Sequence, residues 1–270
     1  MTATTAPTTT GFTVNARPAG FLRDLGSVAG RALRAIPREP EFIMPALFIP
    51  VFFYFVNVGA LEKLAERSGD VANFKAFQLP VAILFAVTGI SRAGALVVDI
   101  QDGYFDRLLM TPIRRVALLL GLMIADLILV LALTVPVLAL GFATGVSFDT
   151  GVAGVLAFML MGALWGLAFT GFPYAIALKT GNPAAVNTSF LLFFPFSFLT
   201  TSFLPKEQLS GWLGTFSEYN PVTYLLEGMR SLVTGWDAGE LAGGLAAISG
   251  IAIASFTLAL LALRGRLKRG

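Results

Sequence analysis

Two residue types are missing from this 270-residue chain, which has no cysteine and no histidine. Without thiols there are no disulfides and no thiolate nucleophile. Without imidazole there is no histidine-based proton transfer, and the common zinc sites are excluded. Absent cysteines do not fix the redox compartment. Charge is also scarce: Asp, Glu, Lys and Arg make up 13% of residues, against about 25% in a soluble domain. So little polar surface cannot meet water on every side, and the bilayer is the expected solvent. A phosphate-cradling G-x-x-x-x-G-K-[ST] loop is absent too. The Lys179-Thr180 pair follows Tyr-Ala-Ile-Ala-Leu and lacks the required glycines. ATP binding of the P-loop kind is therefore excluded in this chain.

What is present is apolar. Hydrophobic residues reach 56% and the mean hydropathy is +0.79. Six runs approach the ~20 residues needed to cross a bilayer. They fall at about 42–61, 77–98, 116–142, 152–178, 186–204 and 243–263. The third and fourth are long enough to tilt. Of the Lys and Arg residues, thirteen flank one side, five flank the other, and Arg92 lies within a span. The richer side is expected to be cytoplasmic, which puts both termini there. The net charge of +3 forms no continuous basic face, so no nucleic-acid partner is expected.

Between the spans, three segments stand out. Residues 20–37 place Phe21, Leu25, Val28, Ala32 and Ile36 on one helical stripe, with Arg23, Asp24, Arg31 and Arg34 off it. That pattern predicts a helix lying in the membrane interface. The Thr-rich residues 1–19 have no apolar h-region and read as a flexible cytoplasmic tail; residues 266–270 read as a basic cytoplasmic tail. The loop "DIQDGYFDRLLMTPIRR", 99–115, predicts a short cytoplasmic helix. Tyr104, Phe105, Leu108 and Leu109 would form its apolar face, and Asp102, Asp106 and Arg107 its polar one. Thr111-Pro112 should end it, because a residue before proline avoids the α region. Residues 203–236 are too polar to span and too apolar for an ordinary loop. Pro205 and Asn220-Pro221 divide them into two short outer helices that dip into the bilayer and return.

This order resembles the permease subunits of type-2 ABC transporters. "GYFDRLLMTPIRR" is similar to their loop between the second and third spans. "FLTTSFLPKEQLSGWLGTFSEYNPVTYLLEGMR" is similar to their signature before the last span, including Asn220, Pro221, Tyr224, Glu227 and Arg230. Within that family the chain looks most like drug-resistance exporters of the daunorubicin type. The resemblance covers about residues 20–265 and implies an all-α integral membrane domain of six spans. It implies a homodimer of permeases, two separate ATPase subunits carrying ATP and magnesium, and a bacterial cell membrane. The helix near 101–109 would be the coupling helix in a cleft of the ATPase. The first, second and fifth spans would line the dimer interface and the pathway.

Ionisable groups inside spans are costly and mark function or a brace. Arg92 and Asp126 lie roughly 10 and 16 Å from the cytoplasmic ends at 1.5 Å per residue, within reach of each other. They are expected to pair between spans two and three. Aromatic and hydroxyl side chains converge on spans one and five: Phe52, Tyr54 and Asn57, then Asn187, Phe193, Phe194, Ser197, Thr200 and Thr201. The mixture suits an amphipathic or flat aromatic cargo better than an ion. In the outer segment Glu227 and Arg230 are one helical turn apart and can pair; with Glu218 they could equally line an exit gate.

The expected function is outward, ATP-driven transport of an amphipathic drug-like or lipid-like compound. A cell-envelope glycan or its lipid-linked form is the alternative cargo. An ion-coupled transporter would need mid-membrane acids and often an inverted repeat, and only Asp126 qualifies. A membrane enzyme lacks any cluster of paired carboxylates at a membrane face.

Overall fold

The computed structural model describes residues 20–68, 73–88, 90–110 and 115–268. The expected tail at 1–19, the Thr111-Pro112 stop, Arg114 and the last two residues lie outside them, as do the side chains of Asp106 and Leu109. Every regular element among the described residues is helical. In chain order these are α1 (Phe21–Ala35), α2 (Pro40–Ser68), α3 (Phe74–Thr88), α4 (Ala93–Gln101) and α5 (Tyr104–Leu109). There follow α6 (Arg115–Ala143), α7 (Gly151–Thr180), α8 (Pro183–Phe198), α9 (Gly211–Tyr219), α10 (Pro221–Thr234) and α11 (Ala238–Leu267).

Five stretches are long and apolar enough to cross a membrane: Ile43–Ala65, Phe74–Gln101, Val116–Ala143, Gly151–Thr180 and Ala238–Leu267. The second of these is not one helix, because α3 ends at Thr88 and α4 starts at Ala93. The run expected at 186–204 is shorter than anticipated: α8 has 16 residues and stops at Phe198. Hydroxyls end it by bonding back to its carbonyls. Ser197 Oγ donates to Phe193 O at 3.2 Å, Thr200 Oγ1 to Ser197 O at 3.1 Å and Ser202 Oγ to the same Ser197 O at 2.8 Å. Such local bonds compete with helix propagation.

Two hydrophobic cores stack along the bundle. The larger joins α2, α3, α6, α7, α8, α10 and α11 around Trp165, Phe158, Ile83 and Leu226. The smaller gathers residues of α1, α4, α5, α6, α7 and the last turns of α11, among them Val28, Ala32, Leu96, Phe105, Tyr174 and Leu263. We call that end proximal and the opposite end distal.

Helix α1 packs across the first turns of α6 at Gly121, where a Cβ would lie 2.8 Å from Val28 Cβ. Its buried stripe is Asp24, Val28, Ala29 and Ala32. Asp24 is thus inside rather than off the stripe as expected, in the first turn, where a carboxylate suits the positive end of the helix. Leu22 is exposed instead. Helices α7 and α11 approach closely at Gly171, where a Cβ would sit 2.6 Å from the Ser255 backbone. Ser255 Oγ donates to Ala168 O at that crossing.

Candidate functional site

At the proximal end, α4 turns directly into α5. Gly103 makes the turn with φ 67°, a left-handed conformation that costs any residue with a Cβ about 1 kcal/mol or more. Phe105 then faces inward. It is 3% exposed, packed in the smaller core, and the Arg266 guanidinium lies 5.8 Å from its ring centre. This corrects the expectation that Phe105 belongs to an outward docking face: an aromatic beside Leu96, Val97 and Tyr174 gains more from burial than from waiting for a partner. Leu108 is partly buried in the same core. Asp102, Arg107 and Met110 are exposed at the tip, Met110 at 80%. Arg107 donates to Gly103 O and Asp102 O at 3.3 and 3.2 Å, which fixes its root.

The tip is tied to its surroundings. Arg31 of α1 donates twice to the Asp99 carboxylate, at 3.2 and 2.6 Å, and its guanidinium lies 4.7 Å from the Tyr104 ring centre. The hydrogen bonds and charge of Asp99 raise the Arg31 pKa further above its ordinary value, against partial burial. Gln101 donates to Gly181 O at 3.0 Å, at the turn between α7 and α8. Among the described residues Arg34, by contrast, bonds only Gly30 O of its own helix, at 3.0 Å. Phe21 and Leu25 complete the expected interfacial set: Phe21 is half-buried, and Leu25 reaches α6 through its carbonyl, 3.1 Å from where a Gly121 Cβ would be.

Above this assembly is the break between α3 and α4, and it corrects the expected Arg92–Asp126 ion pair. Asp126, fully buried on α6, accepts the Arg92 backbone N–H at 2.7 Å, the Tyr174 hydroxyl at 2.7 Å and the Ser91 hydroxyl at 3.5 Å. It receives an orphan amide at the start of α4, where the helix dipole also favours negative charge. The guanidinium of Arg92 turns away and grips Glu39 at 2.5 and 3.1 Å. A long arginine can reach the half-exposed rim of the bundle, whereas the short aspartate cannot leave the interior. In an unbroken span Arg92 would have no free amide to offer. Ser91 and Glu39 were not among the expected residues; the signal was a glycine set among Thr88, Ser91 and Arg92 inside an apolar run.

At the distal end, Asn220 caps α10. Its Oδ1 accepts Val222 N–H at 3.0 Å, and its Nδ2 donates to Phe196 O and Leu199 O at 2.7 and 2.8 Å. One amide thus starts α10 and closes the end of α8, while Pro221 occupies the first helical position, where a missing N–H costs nothing. Arg230 pairs with Glu227 at 2.8 Å. It also donates to Thr201 Oγ1 and O at 2.8 and 2.6 Å and to Phe77 O at 3.3 Å, with Phe77's ring centre 3.5 Å from its guanidinium. Tyr224 OH reaches Glu218 O at 2.6 Å, while the Glu218 side chain stays exposed. The arginine therefore locks three elements, and with Glu227 it also lines a distal pocket of about 470 Å³.

The residues expected to line a pathway divide in two. Tyr54, Phe193, Ser197, Thr200 and Thr201 are each at most 2% exposed. Tyr54 bonds Thr144 at 2.8 Å and Thr201 donates to Glu227 at 2.9 Å. These side chains build the wall, because a hydroxyl next to an unpaired carbonyl satisfies it first; Asn57 is buried with them. Phe52, Asn187 and Phe194 remain exposed. Phe52, Phe53, Phe85, Phe194, Phe198 and Phe203 form a continuous aromatic ladder across α2, α3 and α8, with successive ring centres 6.2, 5.4, 6.4, 4.9 and 5.4 Å apart.

Residues 23–234 match the family described as ABC-2 type transporter. The daunorubicin resistance ABC transporter permease protein DrrB1 of Streptomyces coeruleorubidus is 27% identical over 208 residues, 73% of this chain and 70% of that protein. The probable doxorubicin resistance ABC transporter permease protein DrrC of Mycobacterium tuberculosis is 24% identical over 206 residues, 76% of this chain and 75% of its own length. The putative transport permease ycf38 of Cyanophora paradoxa is 22% identical over 217 residues, 78% and 74% of the two chains. With its helical bundle, its apolar spans and a match over most of its length, the chain belongs to the ABC-2 type transporter family as a multi-pass membrane permease.

Proposed function

We propose that the chain is the membrane half of an ATP-driven exporter and moves an amphipathic, drug-like or lipid-like compound out of a bacterial cell. The proximal end is cytoplasmic, both termini lie there, and α8 with the segment after it completes a sixth crossing. Hydrolysis of ATP with magnesium takes place on two separate ATPase subunits beneath a pair of identical permeases.

The observation that carries the reading is the rooted tip at α5. Phe105 anchors it, Asp102, Arg107 and Met110 face outward, and Asp99 binds it to α1 through Arg31. Such a tip can receive a push from another subunit without unfolding. The cargo class is supported by the aromatic ladder, whose edge is exposed at Phe52 and Phe194, and by the daunorubicin and doxorubicin named for two relatives. Exposed apolar residues on α2 and α8 flank that ladder, including Phe48, Phe55, Leu191 and Phe196, and offer a face to a second permease.

Coexpression with candidate ABC ATPase subunits from the same genome tests the proposal. The two should copurify, and proteoliposomes holding both should transport doxorubicin in an ATP-dependent way. A permease that recovers no ATPase, or vesicles indifferent to ATP, would refute it.

A further inference from the structure

Beyond the crossing at Gly171 and Ser255, helices α7 and α11 enclose a groove of about 670 Å³ that runs to the proximal end. Its two walls are single helical faces. Phe172, Ala175, Ile176 and Lys179 follow one another on α7, and Leu258, Leu261, Ala262 and Gly265 on α11; each set has the i, i+3, i+4, i+7 spacing of one stripe. The floor is deep because alanines and a glycine form it; a Cβ on Gly265 would meet open space. From Leu258 to Arg266 the groove extends roughly 12 Å along the helix.

The walls are apolar and the proximal mouth is cationic. Lys179 and Arg266 stand there beside the Thr180 hydroxyl, and among the described residues no carboxylate lines the groove. Neither cation forms an ion pair among the described residues. Arg266 Nε is buried without a hydrogen-bond partner. A buried donor of this kind calls for an acceptor, and the charge calls for an anion. An apolar slot at membrane depth that ends in two cations at headgroup level has the chemistry that basic pockets between transmembrane helices use for acidic lipids.

We propose that this groove holds one anionic phospholipid, its phosphate on Lys179 and Arg266 and an acyl chain against Phe172, Leu258 and Leu261. Because Arg266 also lies over Phe105, the bound headgroup adjoins the root of α5. The site requires only that the chain spans a membrane; it is independent of the ATPase and the cargo, so failure of the export reading leaves it standing.

Native mass spectrometry of the full-length protein with phosphatidylglycerol or phosphatidylcholine tests it. Wild type should retain phosphatidylglycerol about tenfold better. Lys179→Gln with Arg266→Gln should reduce that preference to about threefold or less. Arg264→Gln with Lys268→Gln, which removes two cations at the same end outside the groove, should leave it unchanged. Gly265→Leu fills the floor with both charges intact and should lower retention of phosphatidylglycerol. Equal retention of the two lipids by wild type overturns the proposal. So does an equal loss in the Arg264 and Lys268 pair, which would mean surface attraction only, or full retention in Gly265→Leu. If the Lys179 and Arg266 pair fails to fold, those last two variants still decide.

Discussion

Asp126 Oδ1 accepts the backbone N–H of Arg92 at 2.7 Å, across two helices and inside the bundle. The bond fixes where α4 begins, and with Tyr174 on the other oxygen the carboxylate joins α4, α6 and α7. Asp126→Ala leaves the Arg92 amide and the Tyr174 hydroxyl buried and unpaired, at about 1–3 kcal/mol for each. Thermal unfolding in detergent should show a large loss. Asp126→Asn should be much milder, since its amide oxygen can still take the Arg92 N–H and its amide nitrogen can donate to Tyr174. Equal losses in the two variants would contradict this role.

The other arm of Arg92 makes a separate prediction. Glu39→Gln strands a guanidinium whose side chain is 5% exposed, and removing one partner of a buried pair is expensive. Glu39 is itself 36% exposed, so the cost should be nearer 1–2 kcal/mol than the buried-pair limit. In a double-mutant cycle with Arg92→Gln, the coupling should be about 1 kcal/mol. A coupling near zero would show that the contact adds nothing to the packing of Arg92.

Phe105 and Met110 should separate stability from docking. Phe105→Ala opens a cavity in the smaller core and should cost about 3–5 kcal/mol. Met110→Glu with Arg107→Glu alters exposed side chains, so unfolding should move by about 0.5 kcal/mol or less. That pair should nevertheless cut recovery of the ATPase about tenfold, as expected for loss of contacts worth roughly 1.4 kcal/mol. If both variants lowered recovery without touching stability, the inward placement of Phe105 would be wrong.

At the distal end, Asn220→Ala removes a cap and frees two carbonyls, with a cost of about 1–3 kcal/mol. Arg230→Lys keeps the charge but loses the fork that reaches Thr201, Glu227 and Phe77 together. The lysine should destabilise because a single ammonium cannot replace these hydrogen bonds. Hydrogen exchange should rise at the start of α10 and the end of α8 in both variants. Unchanged exchange there would separate Asn220 and Arg230 from the closure of α8.

Much of this architecture is legible in the sequence because it follows from counting. Apolar run lengths locate the long helices, and Asn220-Pro221 announces a helix start by its chemistry. The stripe through Val28 and Ala32 marks the face that α1 buries, although Asp24 shows that a first-turn carboxylate can share it. The site was less legible. Hydropathy averages over a window, so the interruption at 90–92 vanishes among its apolar neighbours, and with it the free amide that claims Asp126. The hydroxyls after Phe193 look available in a string of letters. Only the end of α8 shows that carbonyls there have already taken them.

The interruption of the second crossing sets how force can pass through the molecule. A continuous helix is a stiff rod, and tilting one end tilts the other. Here the rod is cut near its middle. Its distal piece is set among α2, α6 and α7, and its proximal piece is joined to α1 by Arg31 and Asp99. No unbroken helix carries a tilt from one piece to the other, and the Asp126 carboxylate that holds the start of the proximal piece belongs to neither.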